Sequence, residues 1–195
     1  NKVDKLFEYE KSWFKVFDQR VLYIPYFNHP DPSVKRKSGF LTPFYKSSEN
    51  LGSSINIPYF FNLSNSKDLT FKPRVYLDNN YILHTEYREA FENSKLKTDF
   101  SFNKNHGKTN LHFFANLNGV IDDKTTFDLN LENVNNNNYL KIHDIKSYTP
   151  FIKNDSVLTS YLKVEKNIDN NTSLNTTLRL YEDLSKKSSD KYQYI

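Results

Sequence analysis

Apolar and polar residues alternate with a period of two along most of this 195-residue chain. In one such run, Leu69 and Phe71 alternate with Thr70 and Lys72. Because successive side chains of a strand point to opposite faces, this pattern predicts β-strands with one apolar and one polar face. From Leu51 onward it predicts about eight antiparallel strands of roughly ten residues, joined mostly by short polar turns.

The length of these runs is a second constraint. Globular strands usually have about 5–6 residues, whereas a tilted strand needs about 9–11 to cross a membrane. Aromatic residues fall near the strand ends, at Tyr59, Phe61, Tyr81 and Phe91, which suits the aromatic girdle of a membrane barrel. Alternation by itself leaves a soluble sheet or barrel open. Strand length and the aromatic positions favour an all-β, antiparallel transmembrane β-barrel.

The composition of the chain changes near its N-terminal end. Residues 6–17 and 19–27 are predicted to form two strands, and the stretch that follows is rich in Pro, Gly and cations. Such a stretch is typical of a stiff linker. The predicted hinge residues are Pro30, Asp31, Pro32 and Gly39. A polar insertion at 133–154 breaks the alternation, with one short ordered piece expected at 139–148.

Composition excludes several classes of function. The chain has no Cys, which excludes disulfides, thiolate nucleophiles and Cys-ligated metals within it. It has no Met, so Asn1 is not an initiator and a mature chain or a fragment is expected. The longest apolar run, 21–27, contains a Pro and is too short for a transmembrane helix. A net charge of +4 without a basic helix or RNA-binding signature argues against a nucleic-acid partner.

Catalytic and metal-binding motifs are not apparent. The His residues show no HxxxH or similar ligand spacing, and neither a GxSxG motif nor a P-loop occurs. Asp122, Asp123 and Glu86 are expected to be strand-end or lumen charges rather than an acid/base pair. We therefore predict a non-enzymatic protein with no cofactor, no metal and no catalytic residues. The five His residues are His29, His84, His106, His112 and His143.

The run VLYIPYFNHPDPSVKRKSGFLTP at 21–43 closely resembles the LptD family of outer-membrane lipopolysaccharide-assembly proteins, also called OstA or organic-solvent-tolerance proteins. Matching pieces continue in the same order through residue 90. They are Asn50-Leu-Gly52, Ile57-Pro-Tyr-Phe60, Asp68-Leu-Thr70, Pro73-Arg74 and Glu86-Tyr-Arg88. The resemblance is close over residues 15–90 and loose beyond them.

This resemblance implies a domain layout and a set of partners. Residues 1–27 would be the last strands of a periplasmic jelly roll, 28–45 the hinge, and 46–195 the first strands of an incomplete large barrel. Lipopolysaccharide would be the substrate, delivered by an LptA-type bridge of jelly rolls, and an LptE-type lipoprotein would plug the barrel. The resemblance also implies contact with outer-membrane lipids and a lateral gate between the first and last barrel strands.

Pro58 and Pro73 fall within neighbouring predicted strands. Proline has no N–H and is avoided in central strands. If the turn is centred near Asn65 and Ser66, the prolines lie within about one residue of facing each other. If the apolar residues of both strands are to stay on one face, the two prolines cannot lie exactly opposite each other. A weakened seam for the lateral gate is one interpretation, which agrees with the family; a bulge or strand end at each proline is the other.

Charged residues share the proposed lumen face, and two interpretations of them stay open. The cations could guide the phosphates of lipopolysaccharide, or the mixed charges could form lumen ion pairs. The residues concerned are Lys72, Arg74, His84, Glu86, Arg88 and Lys97, together with Asp99. The run Lys35-Arg36-Lys37 is expected to be solvated.

Two other functions stay open at this point. One is a soluble β-rich binding or adhesion module, which would stay monodisperse without detergent. The other is a general outer-membrane porin, which would lack the jelly roll and the paired prolines.

Overall fold

The computed structural model describes residues 6–16, 18–30, 36–48, 51–78, 80–105, 107–145, 156–169, 171–187 and 189–195. Antiparallel strands dominate these segments, as the alternation predicts, and the all-β fold class is confirmed. The elements are β1 (Leu6–Val16), β2 (Gln19–Pro30), β3 (Gly39–Phe40), β4 (Phe44–Ser48), β5 (Gly52–Asn56), β6 (Tyr59–Ser64), β7 (Lys67–Phe71), β8 (Arg74–Tyr76), β9 (Tyr81–Ala90), β10 (Ser94–Asn105), β11 (Lys108–Asp122), β12 (Thr125–Val134), α1 (Tyr139–His143), β13 (Val157–Asn167), β14 (Ser173–Asp183) and β15 (Tyr192–Tyr194).

The strands form two sheets. β1 and β2 pair only with each other within the described segments, and the remaining strands form one sheet of thirteen. Of the predicted hinge residues, Pro30 is the last residue of β2, and Asp31 and Pro32 lie outside the described residues. Gly39 is buried in β3 opposite Phe60, so it belongs to the large sheet. The division into jelly roll, hinge and barrel stays a prediction.

The large sheet buries its polar face and exposes its apolar face. On β11, His112 is 0% exposed, whereas its neighbour Phe113 is 41% exposed. On β10, Asp99 is 0% exposed and Phe100 is 40% exposed. We call the face that carries His112 and Asp99 the inner face and the opposite one the outer face. A water-soluble sheet would place these two rows the other way round.

A small apolar core lies on the inner face, and the segment after β12 contributes to it. This segment was expected to be a polar insertion with one ordered piece at 139–148; its described part forms the short helix α1, followed by Ile145, and residues 146–154 lie outside the described residues. The buried cluster consists of Phe114, Val134, Tyr139, Leu140, Ile145, Leu158 and Leu184. Residues 139–145 therefore pack against the inner face. No helix among the described residues is long and apolar enough to cross a membrane.

Candidate functional site

At the N-terminal edge of the large sheet, three neighbouring segments each contain a break between two strands, and the three breaks lie side by side. β3 and β4 are separated by residues 41–43, β5 and β6 by 57–58, and β7 and β8 by 72–73. A proline lies in each interruption, at Pro43, Pro58 and Pro73. Because proline donates no backbone hydrogen bond, it ends a regular ladder at each point. We call residues 39–76 the interrupted edge and strands β9–β12 the continuous wall.

The register across the interruption shows how the prolines weaken the pairing. Tyr59 pairs with Phe71 on one side of the gap and Asn56 with Arg74 on the other. Counting inward in this register, Pro73 lies opposite Ile57, whose N–H donates to the Pro73 carbonyl at 3.3 Å. The two prolines are thus one residue away from facing each other, as keeping the apolar faces aligned requires.

Leu41, the residue that follows β3, pairs with Pro58 through a single backbone hydrogen bond in the same way. The Leu41 N–H donates to the Pro58 carbonyl at 2.8 Å. In a regular antiparallel pair the second residue would return a hydrogen bond, and a proline cannot. The interrupted edge therefore lacks two backbone hydrogen bonds that a regular ladder would make there.

Four of the predicted lumen-facing residues are buried on the inner face, where they bind protein groups. The Lys72 Nζ donates to Glu86 Oε1 at 2.5 Å. Arg74 donates through Nη1 to the backbone carbonyl of His143 in α1. The His84 Nε2 lies 2.5 Å from Asp99 Oδ1. Lys72 and Glu86 thus form a buried ion pair, whereas Arg74 binds a backbone carbonyl.

The other two residues, Arg88 and Lys97, lie towards an open cleft of about 370 Å³. The Arg88 Nε donates to Asp68 Oδ1 at 2.7 Å, and the Arg36 Nη2 reaches Asp68 Oδ2 at 2.6 Å. Arg36 was expected to be solvated; its side chain is 42% exposed and also pairs with the Asp68 carboxylate, which is 7% exposed. Lys97 lies opposite Arg88 in the register and also lines the cleft.

Helix α1 connects the interrupted edge to the continuous wall. The Tyr76 hydroxyl lies 3.2 Å from His143 Nδ1 on one side, and the Tyr139 hydroxyl lies 2.8 Å from Ser101 Oγ on the other. Burial raises the pKa of Tyr139 to about 12. Burial, with a smaller contribution from Arg74, lowers the pKa of His143 to about 4. Both groups are therefore neutral near pH 7.

A compact polar cluster lies on the inner face of the continuous wall. Asp99 Oδ1 lies 2.5 Å from His84 Nε2 and 2.9 Å from His112 Nε2. The Nδ1 of His112 lies 2.6 Å from Ser101 Oγ. The strands β9, β10 and β11 each contribute to the cluster. Its two imidazoles and one carboxylate are groups that could hold a metal ion.

Sequence reasoning missed this cluster because its residues are distant along the chain. His84 and Asp99 were placed on the polar face, but Ser101, His112 and Tyr139 were not connected with them. The signal is present in the sequence, because the polar segments 92–94 and 106–108 predict turns, and these determine which residues of adjacent strands face each other. No comparable signal places Tyr139, since α1 docks through tertiary packing.

Comparison with known proteins finds LPS-assembly proteins among the relatives of this chain. No family model matches the chain. The LPS-assembly protein LptD of Idiomarina loihiensis is 32% identical over 128 residues, which is 64% of this chain and 15% of that protein. LptD of Shewanella oneidensis is 32% identical over 156 residues, 75% of this chain and 20% of that protein. LptD of Psychrobacter cryohalolentis is 41% identical over 80 residues, 41% of this chain and 8% of that protein.

The matched segments are short relative to those proteins. The chain spans no more than 20% of the length of these three curated relatives.

Proposed function

The chain belongs to the family of the LPS-assembly protein LptD, and on this premise we propose that it forms part of an outer-membrane barrel that delivers lipopolysaccharide to the outer leaflet. The protein would act without catalysis, and its transport energy would come from elsewhere. An LptA-type jelly-roll bridge would supply the substrate, and an LptE-type lipoprotein would occupy the barrel. These partners rest on the family resemblance.

The exposed apolar face of the large sheet is the observation that carries this proposal. Phe100, Phe113 and Leu131 are each at least 40% exposed, whereas the polar residues Asp99, Ser101 and His112 on the opposite face are each 0% exposed. In a bilayer every backbone polar group must be paired within the protein, so strands cross only as part of a closed sheet. An apolar outer face and a polar interior are the arrangement such a sheet needs.

The interrupted edge is the part of the chain that we assign to the lateral gate. Pro58 and Pro73 each remove one backbone hydrogen bond from this edge, and each such bond is worth about 0.5–1.5 kcal/mol. β3 lies at the end of the strand order, where another strand of a complete barrel would have to join. A seam beside this edge would part at a smaller cost than one beside the continuous wall.

The open cleft near Arg88 and Lys97 would face the phosphates of the substrate as it passes. Arg36 and Arg88 both contact Asp68, so their guanidinium groups are held in place beside the cleft. Guanidinium groups can bind phosphate through two parallel hydrogen bonds. Guidance of phosphates by these cations is therefore compatible with the ion pairs that they already make.

Site-specific photocrosslinking in cells tests the proposal. A photoreactive amino acid would be placed at Thr42, in the interrupted edge, and in a matched strain at Leu131, on the outer face of the continuous wall. We expect lipopolysaccharide to crosslink several-fold more at Thr42 while export is active. Equal labelling at both sites would contradict a gate at this edge, and a chain that stays monodisperse without detergent would contradict membrane insertion.

A further inference from the structure

The cluster of His84, Asp99 and His112 has the composition of a metal site. The candidate ligand atoms, one from each residue, all lie within 4.8 Å of one another. Asp99 and His112 are 0% exposed and His84 is 6% exposed. The three residues come from three adjacent strands, so the sheet itself holds them together.

The register of the sheet explains why the two imidazoles converge. Ser101 lies directly opposite His84 on one neighbouring strand and directly opposite His112 on the other. The small Ser101 side chain leaves room for both rings, which come to 5.7 Å between centroids. Asp99 lies two residues from Ser101 on β10 and on the same face. Its Oδ1 is within hydrogen-bond distance of both Nε2 atoms.

One atom of the cluster lacks a partner. The Asp99 Oδ2 is buried and makes no hydrogen bond to any described residue. A buried carboxylate oxygen without a partner is costly, because the charge has lost its hydration. A cation coordinated by Asp99 would compensate that loss.

We propose that His84, Asp99 and His112 bind a zinc ion on the inner face of the sheet, with water completing the coordination. Two imidazoles and a carboxylate suit zinc, whereas magnesium and calcium prefer oxygen ligands alone. Tetrahedral bonds of about 2.0–2.2 Å place ligand atoms about 3.3 Å apart. The present separations of 2.5 and 2.9 Å therefore have to widen by roughly 0.4–0.8 Å, given that geometry.

Ser101 would support the site from behind. When Nε2 of His112 binds the metal, its Nδ1 carries the proton and donates to Ser101 Oγ, which lies 2.6 Å away. Ligating histidines usually have such a partner, which fixes the ring. Because Ser101 also contacts the Tyr139 hydroxyl at 2.8 Å, the metal would connect the continuous wall to α1.

Zinc retention by the full-length protein tests this inference. The protein would be purified in detergent without a polyhistidine tag, equilibrated with zinc, dialysed, and analysed for metal by mass spectrometry. We expect His84→Gln and His112→Gln each to lose about one zinc ion per chain relative to wild type. Ser101→Ala should weaken zinc binding by about 10–100-fold.

Two further variants separate metal binding from folding. His143→Gln removes a buried imidazole outside the cluster and should retain the zinc. Asp99→Asn keeps an oxygen that accepts from both Nε2–H groups, so the fold should survive, as heat-modifiable gel mobility would show, while zinc is lost. Equal zinc retention in wild type, His84→Gln and Asp99→Asn would overturn the proposal in favour of a metal-free hydrogen-bond network. An equal loss in His143→Gln would overturn it as well.

Discussion

The interrupted edge and the continuous wall share the same alternation of faces but differ in their backbone ladders. The edge consists of segments of 2 to 6 residues separated at the three prolines. The wall has strands of 10 to 15 residues, and β9 and β10 pair without a register shift. The comparison shows that side-chain period determines which face is apolar, whereas the prolines determine where the ladder is weak.

A charge on the outer face of the wall should have the largest effect. Phe113→Arg places a guanidinium where the proposal puts hydrocarbon, and such a change costs about 2–4 kcal/mol near the bilayer midplane. In a water-soluble sheet a residue that is 41% exposed would tolerate it within about 0.5 kcal/mol. Unfolding in denaturant after reconstitution into vesicles measures the difference.

Leu77→Arg is the matched control at the other region. Leu77 follows β8 in a turn at the end of the interrupted edge and is 75% exposed. At a membrane interface an added Arg costs about 0–1 kcal/mol. Equal costs at Phe113 and Leu77 would argue against the assignment of the outer face to lipid.

Restoring the missing backbone donors should make the edge resemble the wall. In Pro58→Val the new N–H can donate to the Leu41 carbonyl, and in Pro73→Val to the Ile57 carbonyl, because each completes a pair that now has one bond. Each bond should stabilise the edge by about 0.5–1.5 kcal/mol. We expect the double variant to resist unfolding and to export lipopolysaccharide more slowly, measured as its arrival at the cell surface.

Pro25→Val serves as the control for this pair of changes. Pro25 lies in β2, in the two-stranded sheet, so its replacement leaves the large sheet unchanged. Export that is unaffected in the double variant, or reduced as much in Pro25→Val, would remove the prolines from the gate.

Much of this organisation follows from the sequence, because antiparallel hairpins are local. The turn near Asn65 and Ser66 and the apolar faces together predict the one-residue offset of Pro58 and Pro73. The alternation also predicts which of His112 and Phe113 is on the polar face. These features depend only on period and turn position.

Other features depend on contacts that no local pattern encodes. The alternation over residues 158–165 predicts that Leu158 lies in the apolar outer row, but it is buried in the core beside α1. Near it, side chains replace the regular β12–β13 ladder: Glu132 N–H donates to Ser160 Oγ at 3.0 Å, and Thr159 N–H donates to Glu132 Oε2 at 2.8 Å. The convergence of His84 and His112 on Asp99 likewise needs three strands in register.

The third test concerns the docking of α1 on the interrupted edge and the continuous wall, and it has the smallest expected effect. His143 has a pKa of about 4, lowered by burial from its usual 6.5, and the groups facing it are Arg74, Tyr76 and Tyr139. Below about pH 6.5 the undocked helix binds a proton that the docked helix does not, so docking weakens as pH falls. The expected loss at about pH 6 is less than about 1 kcal/mol.

Hydrogen exchange at the Ile145 amide, which donates to the Leu140 carbonyl at 3.0 Å, measures this loss once intrinsic rates are corrected for pH. His143→Gln cannot take up the proton, so its corrected exchange should change less between about pH 7.5 and pH 6 than that of wild type. The same pH dependence in both proteins would mean that His143 does not control the docking. In that case α1 would be held instead by contacts that do not use the His143 ring, namely the Ser101–Tyr139 hydrogen bond on the wall side and the Arg74 hydrogen bond to the His143 backbone carbonyl on the edge side.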